Sequence, residues 1–188
     1  ATHKKLKSKK SAKQSYRTLN IDNGIRISNK RIHLPKIGWV KVHQSMEIGA
    51  IHNATVARTA TGKYFVVLNV EYDPQPMPNN GCVVGIDVGL KEFYSDSNGT
   101  VVNNPKYLEK KAKKLAREQR RLARKQKGAH NREKQRIRVA AAHEKIANQR
   151  NDFLQKQSTM LVRENQTICI EDLNVKGMLH NHKLARAI

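Results

Sequence analysis

Two short apolar runs, Val-Val-Gly-Ile-Asp-Val-Gly at 83–89 and Thr-Ile-Cys-Ile-Glu-Asp-Leu at 167–173, each carry a carboxylate where a buried strand should hold none. A charged oxygen in an apolar strand loses its hydration and needs a hydrogen bond, a cation or a metal in return. Asp87 and Glu171 take the same offset in their runs, so two strands lying side by side would turn both towards one cation. Between the runs, residues 106–163 read as strongly basic helix. A long helical crossover is what a parallel neighbour strand requires. Paired carboxylates suit a hard divalent ion, and basic helices suit a phosphate-rich substrate. The pattern points to a metal-dependent nuclease core.

The balance of charge supports that direction. Among 188 residues, 37 are Lys or Arg and 15 are Asp or Glu, a net charge of +22. Such an excess opposes compaction and attracts polyanions, which makes nucleic acid the first partner to consider. An anionic membrane is the next, yet no apolar run approaches the roughly 20 residues needed to span one. With no charged-then-apolar leader in view, a cytoplasmic protein is expected. Cys82 and Cys169 form no CxxC pair, so they make no zinc site by themselves and are expected to be reduced thiols in the core.

The chain divides by composition. Residues 1–14 form a basic arm, with six lysines and no acid in the first 13; it is either a solvated tail or a phosphate-binding arm. From 15 to 72 the pattern is short strands and turns: 26–27, 31–34 and 39–42 alternate apolar with polar residues, and 54–58 and 64–70 form a hairpin through Thr61-Gly62-Lys63. So many short strands predict a small barrel or sandwich. Trp39, Tyr64 and Phe65 could stack on bases, but in so small a barrel they are expected in the core. Residues 73–82 are a Pro-rich linker, with Pro74, Pro76 and Pro78 excluding helix and ladder.

Beyond the linker, strands at 83–89, 91–96 and 99–102 predict an antiparallel meander. Pro105 behind an Asn104 cap then opens a helix. Leu108, Leu115 and Leu122 recur every seven residues, and after Gly128 so do Val139, Ile146, Phe153 and Met160. The spacing predicts an antiparallel helical hairpin over 106–164, with arms of roughly 30 to 50 Å. Residues 106–163 hold 19 Lys/Arg against 5 Asp/Glu, a local charge of +14. A solvated face normally mixes signs, so this one is expected to meet nucleic acid through Lys110, Lys114, Arg117, Arg120, Arg121, Arg124, Arg132, Arg136 and Arg150. A fourth strand at 167–172, parallel to the first, would give the start of an RNase H-like arrangement.

Three segments carry a family resemblance: Val-Val-Gly-Ile-Asp-Val-Gly-Leu-Lys-Glu-Phe (83–93), His-Glu-Lys-Ile-Ala-Asn-Gln-Arg-Asn-Asp-Phe (143–153) and Ile-Glu-Asp-Leu-Asn-Val-Lys-Gly-Met (170–178). They closely resemble the TnpB proteins, OrfB-type products of bacterial and archaeal insertion sequences and relatives of type V CRISPR effectors. Thr-Val-Ala-Arg-Thr-Ala-Thr-Gly-Lys-Tyr-Phe-Val (55–66) is similar to the wedge-type barrel of that family. The resemblance implies an α+β chain: a wedge-type β-barrel, then a partial RuvC-like nuclease domain over 83–188 with the basic hairpin inserted. It implies an RNA-guided DNA endonuclease, with guide RNA and target DNA as partners and Mg²⁺ as cofactor. Asp87 and Glu171 match the first and second catalytic acids, and hence metal ligands.

The family's third catalytic aspartate lies downstream of the second acid, beyond a zinc ribbon. Here only 17 residues follow Glu171, their sole acid is Asp172, and no CxxC pair exists. The chain is therefore expected to be an internal fragment or a decayed copy that holds metal weakly. A non-catalytic basic DNA- or RNA-binding protein is the alternative. Asp172 could assist a metal or, as expected here, bond the turn at Asn174, and His180-Asn181-His182 is expected to be a polar turn.

Overall fold

The computed structural model describes residues 14–43, 48–76 and 79–181. The basic arm falls almost entirely outside them, as do His182 and the residues after it. The chain forms two compact units that divide between Gln75 and Pro76, inside the Pro-rich stretch.

The first unit contains six strands: β1 (Gln14–Leu19), β2 (Arg26–Ser28), β3 (Arg31–Leu34), β4 (Gly38–Lys41), β5 (Ile51–Arg58) and β6 (Tyr64–Val70). They form two antiparallel three-stranded sheets, β1-β5-β6 and β2-β3-β4, with no closed barrel among the described residues. Alternation gives each sheet one apolar face. Ile32 and Leu34 from β3 and Ala54 from β5 meet Ile25 in a single core, with Ile27, Val56, Val66 and Leu68 packed against it. Asn20 fastens the entry to β2: its Nδ2 donates to the Ile51 carbonyl at 2.8 Å, while its Oδ1 accepts from the Ile25 amide at 2.7 Å. At the β2–β3 turn, Asn29 and Lys30 both take positive φ (49° and 59°), the geometry of a two-residue hairpin.

The expected burial of Trp39, Tyr64 and Phe65 is corrected: they are 48%, 69% and 52% exposed. With two sheets sharing one core, only one face of each can be covered. Trp39 and Phe65 lie on the other faces, and Tyr64 sits at the hairpin end of β6, where Arg58 lies over its ring.

The second unit contains β7 (Val83–Val88), β8 (Glu92–Asp96), β9 (Val101–Asn103), α1 (Tyr107–Ala123), α2 (His130–Glu164), β10 (Thr167–Ile170) and α3 (Val175–His180). Its sheet runs β10-β7-β8-β9, an antiparallel meander with β10 added parallel to β7. The expected strand order is therefore present. Val84, Ile86 and Tyr94 form the core, with Phe93 of β8, Val102 of β9, Ile168 of β10 and Leu161 of α2 packed against it. The Tyr94 hydroxyl donates to Gln157 Oε1 at 3.3 Å, and its burial raises the phenol above its usual range.

Helix α1 starts two residues later than expected. Lys106 takes the left-handed conformation (φ 47°) before it, and Asn104 ties the approach instead, accepting from the Lys106 amide and donating to the Leu90 carbonyl. The 35-residue α2 is about 50 Å long. Its apolar heptads meet two partners: the first half packs on α1, and the second half covers the sheet, with Phe153 4.8 Å from Phe93.

Both cysteines are free, as expected, and both are exposed, which corrects their assignment to the core. Cys169 pairs with Gly85 on the sheet face away from α2, whereas Val84 and Ile168 alternate onto the covered face. Cys82 precedes β7, three residues or about 10 Å from that register position, beyond the roughly 7 Å that a disulfide spans.

Candidate functional site

Asp87 is the fifth residue of β7 and pairs with Ser95 of β8. It alternates with Ile86, so its side chain leaves the covered face and is exposed to solvent. Strand β10 runs in parallel register from Thr167 opposite Val83 to Ile170 opposite Ile86. The pairing ends there: Glu171 follows the last residue of β10 as Asp87 follows Ile86 on β7, and both are exposed. The turn after Glu171 is closed by Asn174 itself, whose Oδ1 accepts from the Gly177 amide at 2.9 Å and caps α3. Asp172 is exposed.

Directly beyond Asp87 lies a cavity of about 410 Å³, walled by Val88, Phe93, Phe153, Leu173, Val175 and Met178, with Arg150 at its edge. Neither carboxylate lines it, so the pair faces open solvent at the strand ends. Among the described residues no group of three His, Cys, Asp or Glu side chains could hold a metal ion. The oxygen chemistry of Asp87 and Glu171 fits Mg²⁺, but two carboxylates leave most of an octahedral shell to water and substrate.

The basic residues separate into two kinds. Lys110, Arg117, Arg120 and Arg124 recur at spacings of seven, three and four, so they share the face of α1 opposite buried Leu115 and Glu118, and all are exposed. Lys113 belongs to the same ridge, and the sequence reading passed over it because only the wheel, not the charge count, singles it out. Lys114 is exposed at the flank of that ridge. Arg121, Arg132 and Arg136 are instead engaged within the hairpin. Arg121 donates to Glu118 Oε1 at 3.1 Å, and Arg132 donates to the Leu122 and Lys125 carbonyls, both at 2.7 Å. Arg136 forks onto Glu133 at 2.6 and 2.8 Å. These three arginines thus have acceptors within the hairpin, while Arg121 and Arg136 remain about half exposed.

A buried polar pair fixes the register of the two helices. Gln135, 3% exposed, donates from Nε2 to Glu118 Oε2 at 2.7 Å and to the Glu118 carbonyl at 3.2 Å. The Gln135 amide holds the Glu118 carboxyl below its usual range against the opposing effect of burial, with Arg121, Arg117 and Arg138 adding to the same effect. A carboxylate lowered on folding stabilises the fold above its unfolded value, and that stability is lost as pH falls through the folded value. Thermal melts followed by helical circular dichroism should therefore fall as the medium is acidified below the ordinary glutamate range. Gln135→Met should lower the melting temperature at pH 7 by several degrees and flatten that acid dependence; an unchanged profile would assign the pair no such role.

Among the described residues no helix is long and apolar enough to cross a membrane. Residues 65–182 match the model of the OrfB_IS605 family, described as a probable transposase. A Streptomyces pristinaespiralis protein named "Putative RNA-guided DNA endonuclease" is 47% identical over 134 residues, which is 71% of this chain and 33% of that protein. From Escherichia coli K12, "Putative RNA-guided DNA endonuclease InsQ" is 37% identical over 152 residues, 80% of this chain and 38% of that protein. The chain thus spans little more than a third of the length of these curated relatives. With the family model covering β6 through α3, and the sheet, the hairpin and both conspicuous carboxylates inside that span, the chain belongs to the OrfB_IS605 family of TnpB-type insertion-sequence proteins.

Proposed function

We propose that this chain supplies part of an RNA-guided, divalent-metal-dependent DNA endonuclease, with a RuvC-like centre built on Asp87 and Glu171. The observation that supports the reading is the parallel register of β10 on β7, which ends at Ile170 opposite Ile86, one residue short of Glu171 and Asp87, both exposed. The names of both relatives support the same activity. In this reading 83–188 is a partial RNase H-like domain, 15–72 acts as the wedge-type unit, and guide RNA and target DNA are the partners. A divalent ion held there would activate water and stabilise the leaving oxygen. Asp87 and Glu171 offer it hard oxygen ligands, while the exposed ridge of α1 binds phosphates.

A second reading, a basic binder without catalysis, is favoured by the lack of a third metal-holding side chain among the described residues. Metal removal separates the two. The full-length protein that carries this chain, loaded with its guide RNA, should cleave target DNA in Mg²⁺, stop in EDTA and recover on addition of excess Mg²⁺, while the 188-residue chain alone binds without cutting. Cleavage that persists in EDTA would overturn the metal-dependent reading.

A further inference from the structure

We infer that the outward face of the β2-β3-β4 sheet is a separate nucleic-acid site, where Trp39 stacks an unpaired base and Arg26, Arg31 and Lys41 hold the flanking phosphates. The registers assemble it. Arg26 pairs with His33 and His33 with Trp39, forming one row across the three strands; Ser28, Arg31 and Lys41 form the next. Alternation sends Ile27, Ile32 and Val40 to the opposite face, where Ile32 is 2% exposed in the core. The outward face therefore carries three permanent cations, one imidazole, one hydroxyl and one indole, with no carboxylate among them.

Trp39 keeps 48% of its surface in water, although burying an aromatic ring of that size is worth more than burying almost any other side chain. It is nonetheless held in place. The His33 ring meets it edge-on at 5.3 Å, and His33 Nδ1 is itself fixed by donating to the Gly24 carbonyl at 2.8 Å. The Arg26 guanidinium lies over the indole, 5.9 Å from the ring centroid. An aromatic ring ordered in advance, with one guanidinium beside it and two further cations in the next row, suits a single strand, since every base offers a π face and every nucleotide a phosphate. The two rows stand about 7 Å apart along the strands, so Arg31 and Lys41 reach past a base stacked on Trp39 towards the next phosphate. A duplex keeps its base faces stacked and offers nothing to the indole. The occupant is therefore an unpaired stretch. The site lies in the first unit and depends on neither Asp87 nor Glu171.

Trp39 is the only tryptophan in the chain, so its emission reports on this face alone. The experiment uses the whole chain with Arg117, Arg120 and Arg124 changed to Ala, which weakens competing binding to α1. The single strands rU12 and dT12 should quench Trp39 emission on binding; a 12-base-pair duplex and inorganic polyphosphate of matching charge should not. Trp39→Ala should weaken binding of the better strand by about 5- to 150-fold, the range of one base–aromatic stack, with Trp39→Phe recovering part of it. Arg31→Glu combined with Lys41→Glu should weaken both strands while leaving the unliganded emission in place. Whichever of rU12 and dT12 binds more tightly identifies the sugar the face prefers. Strand binding that leaves the emission unchanged, or equal quenching by polyphosphate, would overturn the proposal, and the emission measurement needs no substitution at Trp39.

Discussion

Raising the salt concentration from about 50 to 200 mM should weaken any binding of nucleic acid to this chain by about 10³- to 10⁵-fold, if its helices neutralise roughly 6 to 10 phosphates. The structure says which residues should carry that slope. Lys110, Lys113, Arg117, Arg120 and Arg124 line one exposed ridge of α1; Arg117 lies 3.9 Å from Glu118 and Arg120 donates to the Ala116 carbonyl at 3.4 Å, and all five side chains are open to solvent. Changing Arg117, Arg120 and Arg124 to Ala should make the plot of log affinity against log salt shallower by about 3, one unit for each phosphate contact removed. The loss should be equal on unrelated sequences, because phosphate contacts carry no base information. Arg132→Ala should behave differently. It removes the donor that satisfies the Leu122 and Lys125 carbonyls at the end of α1, so it should lower the melting temperature and leave the slope nearly unchanged. A flat salt titration of the unmodified chain, or equal slopes for the two variants, would mean that the ridge is not the binding surface.

What the sequence made legible, and what it hid, follows from how local each feature is. The hairpin is written in heptads, the meander in alternation and turn residues, and the parallel partnership of β7 and β10 in two apolar runs with a carboxylate at one offset. All three survive in the structure because each is fixed by residues close together or by a crossover of obligatory length. Which face of a strand is covered is a different matter. Alternation separates Cys169 from Ile168 and Trp39 from Val40 without saying where the second layer lies, so both cysteines and three aromatics were assigned to a core they do not enter. Closure of a barrel depends on strand pairs distant in sequence, and here two short sheets share one core instead. The arginines divide in the same way: the i,i+3 pairs of Arg121 with Glu118 and of Arg136 with Glu133 lie within single helices and are legible in sequence, whereas the Leu122 and Lys125 carbonyls reach Arg132 only once α1 and α2 are antiparallel. At the candidate centre, the sequence shows the two acids, and the structure adds the parallel register that ends one residue before each of them.

Asp87→Ala should leave the fold intact and remove cleavage. The side chain is exposed at the end of β7, away from the core of Val84, Ile86 and Tyr94, so its loss should change stability by no more than about 0.5 kcal/mol, as for an ordinary surface position. In the guide-loaded full-length protein the same change should lower the cleavage rate by at least about 10³-fold, the upper end of what one preorganised electrostatic group contributes. Glu171→Gln should do likewise, since it keeps the shape of the side chain and removes only its charge. If both oxygens serve one ion, the double variant should be little worse than either single one, because groups acting as a unit lose their effect together. Binding of target DNA should persist in all three, as the α1 ridge is untouched. The measurement is a paired one: cleavage of target DNA beside a thermal melt of the 188-residue chain. Lost cleavage with an unchanged melt assigns Asp87 to the chemistry. A collapsed melt would make Asp87 a structural acid, and full cleavage by the Asp87→Ala protein would place the catalytic centre elsewhere.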